Sequence, residues 1–328
     1  MFDLISLGDA RIDNYYFIDD ATLHCRHNTH DCELCLRYGQ KVPVSKFVQF
    51  MAGNNANTAV GVSRLGLKSA LYGHVGKDAS GEFIVKVLKD EKISTRFVEM
   101  VEGMETENSA VIDFQKERTI LVYHQPWEYA LPDLDKSKWV YFSSMSYSFS
   151  KTNIVKEIEN YVQRTGAKLV FSPGTHQLKY GVKKFPQLLS LVTLFIVNVE
   201  EAKKVLGYEQ EENIPVKKLL HGLVDLGPVM VIITDAKNGS YGFDGTTYYK
   251  LDIFPAKLVE MTGAGDAYTA GVMAGLFYGK SLPEAMRWGT ANGASVIEHV
   301  GPQAGLLTYD QMQNRLKENA KIVTKELR

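Results

Sequence analysis

Residues 259 to 279 read VEMTGAGDAYTAGVMAGLFYG. Thr262-Gly263-Ala264-Gly265 offers small residues whose backbone N–H groups can converge, directly before a segment apolar on all sides that predicts a buried helix. A helix N-terminus with free amides attracts anions. Asp266 adds a carboxylate at the same point, which would repel a resting phosphate but suits a base that takes the proton of a hydroxyl beside one. The pattern points to phosphoryl transfer, against the plainer alternative of a glycine-rich turn with Asp266 as a cap. As a dinucleotide motif Gly263-x-Gly265 is poor: it lacks the third glycine and sits late in the chain. No Gly-x4-Gly-Lys-Ser/Thr occurs either. A second chemical group is HCRHNTHDCELC at 24 to 35, which holds Cys25, Cys32 and Cys35 with His24, His27 and His30. Cys32-x2-Cys35 has metal-knuckle spacing, and Cys25 with a nearby histidine could complete a structural Zn2+ site. A CxxC redox pair and a plain polar insertion are the competing readings.

The elements that must position these residues follow from the hydrophobic pattern. Short β-branched and aromatic runs (4 to 8, 69 to 76, 139 to 144, 168 to 173, 194 to 198, 229 to 234) alternate with helix-like stretches at 55 to 65, 79 to 91, 151 to 165, 199 to 206, 213 to 226, 266 to 278 and 283 to 299. That order predicts a three-layer α/β/α body with a mainly parallel sheet, and strands apolar throughout are those buried on both faces. Two stretches break the rhythm. KVPVSKFVQF at 41 to 50 alternates as a half-exposed strand, and 96 to 124 reads as hairpin strands without helices, so both predict a small antiparallel sheet standing off the body. With 37 basic and 38 acidic residues there is no net field to draw nucleic acid or an anionic membrane surface. No apolar run approaches the roughly 20 residues of a membrane span, and MFDLISLGDA lacks a basic leader, so a cytoplasmic protein with reduced thiols is expected.

TGAGDAY, together with AGNNANTAVGVSRLG at 52 to 66, resembles the two signatures of the ribokinase-like, or PfkB, carbohydrate and nucleoside kinases. The similarity runs from the first strand to GPQAGLL at 301 to 307. It implies a large nucleotide-binding and catalytic α/β domain over 1–13, 53–95 and 125–328, with 14–52 and 96–124 as a β lid over the substrate site. It implies Asp266 as catalytic base and Gly263, Ala264 and Gly265 as an anion hole. Gly53, Asn54 and Asn57 fall where the family contacts substrate, and Asp13 matches its acidic residue for sugar hydroxyls. Amides and a carboxylate suit a diol, although asparagines at a helix start could equally cap it. Asn198 and Glu201 in NVEEA resemble the element that orders Mg2+ and its waters near the phosphates of ATP. Thr234, Lys237 and Gly239 in TDAKNGS resemble the nucleotide loop, Thr262 opens the anion-hole run, and Asn292 falls where the family lines its adenine pocket.

Departures from the family pattern bear on the substrate. Ala52 replaces the first glycine of the front signature, and Ala236 the middle glycine of the nucleotide loop. Glu260-Met261 stands where many members carry Asp-Thr, an acidic position compatible with activation by K+. Ser172, Gly174 and His176 stand where fructokinase-like and sugar-acid-kinase members carry an Asp-x-Asn-x-Arg element, which argues against a sugar acid or hexose, although Arg118 fits the lid arginine of such members. The expectation is an ATP-dependent kinase acting on a hydroxymethyl group of a sugar, sugar derivative or nucleoside, dimeric through its lid. The alternative is a non-catalytic sensor switched by the Cys/His cluster.

Overall fold

In the computed structural model, residues 1–25, 32–115 and 117–327 are described. The first half of the chain runs β1 (Phe2–Leu7), β2 (Arg11–Ile18), β3 (Thr22–Cys25), β4 (Cys32–Cys35), β5 (Val44–Ala52), α1 (Asn54–Arg64), β6 (Ser69–Gly76), α2 (Ala79–Asp90), β7 (Ser94–Val101), β8 (Asn108–Phe114), β9 (Glu117–Tyr123) and β10 (Ser137–Phe142). The second runs α3 (Ile154–Thr165), β11 (Lys168–Phe171), α4 (Thr175–Tyr180), α5 (Pro186–Leu191), β12 (Val192–Asn198), α6 (Val199–Leu206), α7 (Val216–Val224), β13 (Met230–Thr234), β14 (Ser240–Phe243), β15 (Tyr248–Leu251), α8 (Ala264–Phe277), α9 (Leu282–Val296), α10 (Tyr309–Glu318) and β16 (Lys325–Glu326).

Ten strands form the body in the order β16-β15-β14-β13-β12-β11-β10-β1-β6-β7, parallel from β7 to β13 and antiparallel beyond it. The continuous apolar runs end up where both sheet faces are covered: every residue of β6 is buried, and so are all but the first of β11. α8 is buried along 267 to 275, as its apolar circumference predicts, and packs on α9.

A second sheet, β5-β2-β8-β9, is the lid. β2–β5 and β8–β9 pair antiparallel while β2–β8 pair parallel, so the sheet is mixed. The expected lid boundaries shift in two places. RFVEMVEG pairs parallel with β6 inside the body, where Phe97 is buried and Val98 and Met100 pack against the cluster that includes Ile84 and Leu88 of α2. Conversely, Arg11 to Asp13 already belong to lid strand β2.

β3 and β4 form a separate exposed hairpin in which Cys25 and Cys32 are register partners joined by a disulfide. This corrects the reduced-thiol expectation for that pair and removes two of the three thiolates assigned to Zn2+. It also excludes Cys32 and Cys35 as a redox couple in this state: Cys35 lies at the other end of β4, opposite Thr22, with its Sγ 3.9 Å from the Glu33 carbonyl oxygen. His24 is exposed opposite Glu33, and no metal-holding cluster of His, Cys, Asp and Glu occurs among the described residues. His27 and His30 lie outside those residues. None of the described helices is long and apolar enough to cross a membrane.

Candidate active site

The start of α8 is set by Gly263, whose left-handed φ of 79° turns the chain into the helix and whose missing side chain leaves room for Pro302, 2.7 Å from where a Cβ would sit. Ala267 N–H donates to Gly263 O, while the Gly263, Gly265 and Asp266 amides have no backbone acceptor among the described residues. The Ala264 N–H already donates to Met261 O at 3.3 Å, so it is not among the free amides of this turn. Nothing would obstruct a Cβ at Gly265, so that side of the turn is open.

Asp266 is half-buried in the first turn of α8. Asn57 Nδ2 donates to its Oδ2 at 2.8 Å, and Asn54 also donates to it. Removal from water outweighs these donors and raises the carboxyl to about 6, with Asp13 adding to the rise and Arg11 opposing it. The asparagine run does not cap α1. Its N-cap is Gly53, which has no side-chain bond to give and lies 2.7 Å, at its absent Cβ, from Asp9 O. Asn54 instead accepts from Ser144 Oγ at 3.1 Å, and Asn55 donates to Ser144 O at 3.0 Å.

One member of this network was invisible to motif reading. Gln303 Nε2 donates to Asn57 Oδ1 at 2.8 Å and to Met51 O at 3.0 Å, which fixes the Asn57 carboxamide with its NH2 toward Asp266. The quoted run GPQAGLL contained the residue, but nothing in its spacing pairs it with a side chain 246 positions earlier.

Asp13, on β2, is buried and held by Ser109 on the neighbouring strand, and desolvation raises its carboxyl above the ordinary value. Arg118 of β9 reaches Glu260 Oε1 at 3.4 Å and also acts on Asp13. Glu260 accepts from Thr262 N at 2.9 Å and Gly301 N at 2.8 Å besides. Its oxygens therefore serve amides and a guanidinium, which gives the K+ expectation at this position no support. Thr262 itself buries an unpartnered Oγ1 below the loop.

Asn198 and Glu201 make a reciprocal capping box on α6: Asn198 Oδ1 accepts from Glu201 N at 2.8 Å and Glu201 Oε2 from Asn198 N at 2.9 Å. Burial raises the Glu201 carboxyl, and the charges of Glu200 and Asp266 raise it further, so it lies within electrostatic reach of Asp266. Thr234 ends β13 opposite Asn198, and exposed Lys237 with Gly239 follows in the next turn. Ala236 takes a φ of 41° there, keeping a left-handed path without the expected glycine. Asn292 is placed elsewhere than expected. It is fully buried, with Nδ2 on Ala267 O at 2.8 Å and Oδ1 accepting from Leu307 N at 3.0 Å, and so ties α8 and α9 to the chain before α10 instead of lining an adenine pocket.

A cavity of about 340 Å³ between Phe149, Lys156, Glu159 and Tyr180 shares no residue with this cluster. Asp266, Asn54, Asn57, Asp13 and Arg118 instead gather where lid strands β2 and β9 meet the starts of α1 and α8.

A mainly parallel sheet under a small lid, with an aspartate at an amide-rich helix start, defines a phosphotransferase for small molecules. The chain belongs to the pfkB family of carbohydrate kinases, whose model matches residues 14–308. It is 24% identical over 290 residues to the ATP-dependent 6-phosphofructokinase of Thermoanaerobacterium thermosaccharolyticum, covering 84% of this chain and 88% of that enzyme. It is 27% identical over 285 residues to the 5-dehydro-2-deoxygluconokinase of Geobacillus thermodenitrificans, covering 81% and 84%. Among solved structures, Arabidopsis thaliana ribokinase complexed with ribose and ATP superimposes with a TM-score of 0.80 at 20% identity, covering 96% of this chain and 99% of that one. The nucleoside kinase of Burkholderia thailandensis in complex with inosine gives 0.76 at 16% identity, covering 98% and 99%.

Proposed function

We propose that this kinase transfers the γ-phosphoryl group of ATP to a primary hydroxyl of a sugar or sugar derivative, with Asp266 as general base. The observation that carries this reading is the Asn57–Asp266 bond at 2.8 Å, which holds a carboxyl raised to about 6 in the first turn of α8, next to the amide-rich turn. Asp13, Asn54 and Asn57 hold the acceptor by its hydroxyls, and Gly53 lets it approach the backbone. Asp266 takes the hydroxyl proton as the oxygen attacks phosphorus, and the Gly263 and Gly265 amides offset charge on the transferring group. Thr234, Lys237 and Gly239 border the nucleotide.

The second oxygen of Glu201, with the Asn198 side chain beside it, suits a hydrated Mg2+, because a cation would relieve the like-charge convergence of Glu200, Glu201 and Asp266. Held there with ATP, the ion would supply positive charge to offset that on the transferring phosphoryl group. The lid excludes water that would otherwise compete for the phosphoryl group. Its edge strands β5 and β9 carry exposed Phe47, Ile120, Leu121 and Val122, and we assign that surface to a second copy of the chain.

The names of the relatives, a phosphosugar kinase and a sugar-acid kinase, favour a sugar derivative over a nucleoside. Nothing in the site favours the sensor alternative, since the base and the open amides are intact. ADP release assayed against sugars, sugar acids, sugar phosphates and nucleosides, with the product mass determined, tests the reading. One acceptor gaining a phosphate supports it, and ATP turnover without any phosphorylated product counts against it.

A further inference from the structure

Behind Asp13 the pocket changes character. Arg11, on β2, has a side chain only 15% exposed, and its Nε is buried with no hydrogen-bond partner. The nearest carboxylate oxygen is Glu107 Oε2, 3.9 Å from Nη2, which is beyond hydrogen-bonding range. The surrounding acids are otherwise engaged. Glu107 accepts from Gln125 N at 3.0 Å and lies 3.3 Å from His124 Nδ1. Asp9 Oδ2 accepts from Tyr129 and from Ser146 N, and burial, then the charge of Glu107, hold its carboxyl well above the usual range. Asp13 is bound to Ser109. A guanidinium carries five donors, and burying its Nε–H without an acceptor costs free energy that a bound group can recover.

His176 extends the same pattern. It stands on α4, its ring 4.6 Å from that of His124, and its Nε2 is buried without a partner. Desolvation, then the charges of His124, Arg11 and Lys179, lower its pKa, opposed by Glu107. Arg11 acts electrostatically on both His176 and Asp266, so both lie within reach of its charge. A neutral polyol would leave these donors poorly matched. An anionic oxygen group accepts charge-assisted bonds from a guanidinium fork and an imidazole about twice as strong as neutral ones.

We propose that Arg11, His124 and His176 form an anion-reading end of the acceptor pocket, so that the acceptor carries a carboxylate or phosphate group away from the hydroxyl that Asp266 deprotonates. The inference rests on the kinase reading above and narrows its substrate to acidic sugar derivatives.

Matched acceptors test it: fructose and ribose as neutral sugars, fructose 6-phosphate for phosphate, gluconate and 2-keto-3-deoxygluconate for carboxylate, and adenosine as a nucleoside. An anionic acceptor is expected to exceed the neutral ones by roughly 100-fold in kcat/KM, and the better of the phosphate and carboxylate arms names the group. Arg11→Gln should remove that advantage mainly through KM, with Arg11→Lys restoring only part of it. His176→Asn, at a half-buried position on a short helix, should act in the same direction and covers the case in which Arg11→Gln does not fold. Calorimetric binding of the same compounds reads the pocket independently of transfer. A neutral sugar or nucleoside as best acceptor, with both variants changing every acceptor alike, would overturn the inference and leave the kinase reading standing. Selective binding of the anions without phosphorylation of any acceptor would uphold the pocket and overturn the kinase reading.

Discussion

Asp266 works only if its carboxyl is ionised when the acceptor arrives. Because burial raises it to about 6, the ionised fraction, and with it kcat, should climb as pH rises through about 6 and level off above 7. The sign for folding is opposite: a carboxyl raised on folding contributes stability at low pH that is lost as pH rises through the same value. A pH–rate profile flat between 5 and 8 with chemistry rate-limiting would contradict the assignment. Gln303 is a positioning residue whose effect passes through Asn57. With Gln303→Leu, Asn57 is free to turn its NH2 away, and Asp266 loses a donor that lowers its pKa. The acid limb of the kcat profile should then move to higher pH with a roughly 10-fold loss of kcat at neutral pH. A loss of stability with the limb unmoved would mean that Gln303 only packs.

At the scale of elements, an ion pair joins the lid to the loop that leads into α8. Arg118 leaves β9 to meet Glu260, which also receives the Thr262 and Gly301 amides. Arg118→Ala leaves Glu260 its two amide donors, so stability should fall by under about 1 kcal/mol. Closure should suffer more: acceptor KM rises and ATP hydrolysis without acceptor increases, as product-to-ADP stoichiometry would reveal. Unchanged coupling would remove Arg118 from the lid's function.

The same scale shows what was legible in the sequence. α6 runs over the expected 199 to 206, and the expected strand at 69 to 76 is β6, because burial on one stripe or both faces leaves a periodic record. RFVEMVEG was placed in the wrong sheet because alternation reports a half-buried strand and carries no information about its neighbour. The site was half legible. Asp266 and the asparagine run stand in local motifs, whereas Gln303 joins them only through a contact with Asn57, 246 residues earlier in the chain. Asn292 differs from its expected place because helical position alone does not distinguish a pocket wall from a buried tie between two helices.

For the whole molecule, the lid is both cover and outer surface. Its edge strand β9 is exposed along its full length, with Leu121 58% accessible. If that surface seats a second copy, Leu121→Glu should convert a dimer to a monomer in sedimentation at micromolar concentration, while the body retains its fold. A wild-type chain that sediments as a monomer would refute the assigned occupant. The body brings the starts of α1 and α8 together under that lid, and the account stands or falls on what Asp266 does there. The most direct measurement is phosphoryl transfer by Asp266→Asn with the best acceptor, alongside ATP binding. Loss of kcat by at least 10² to 10⁴, with ATP affinity within a few-fold of wild type, is the predicted result. Turnover near the wild-type rate in a correctly folded variant would contradict it.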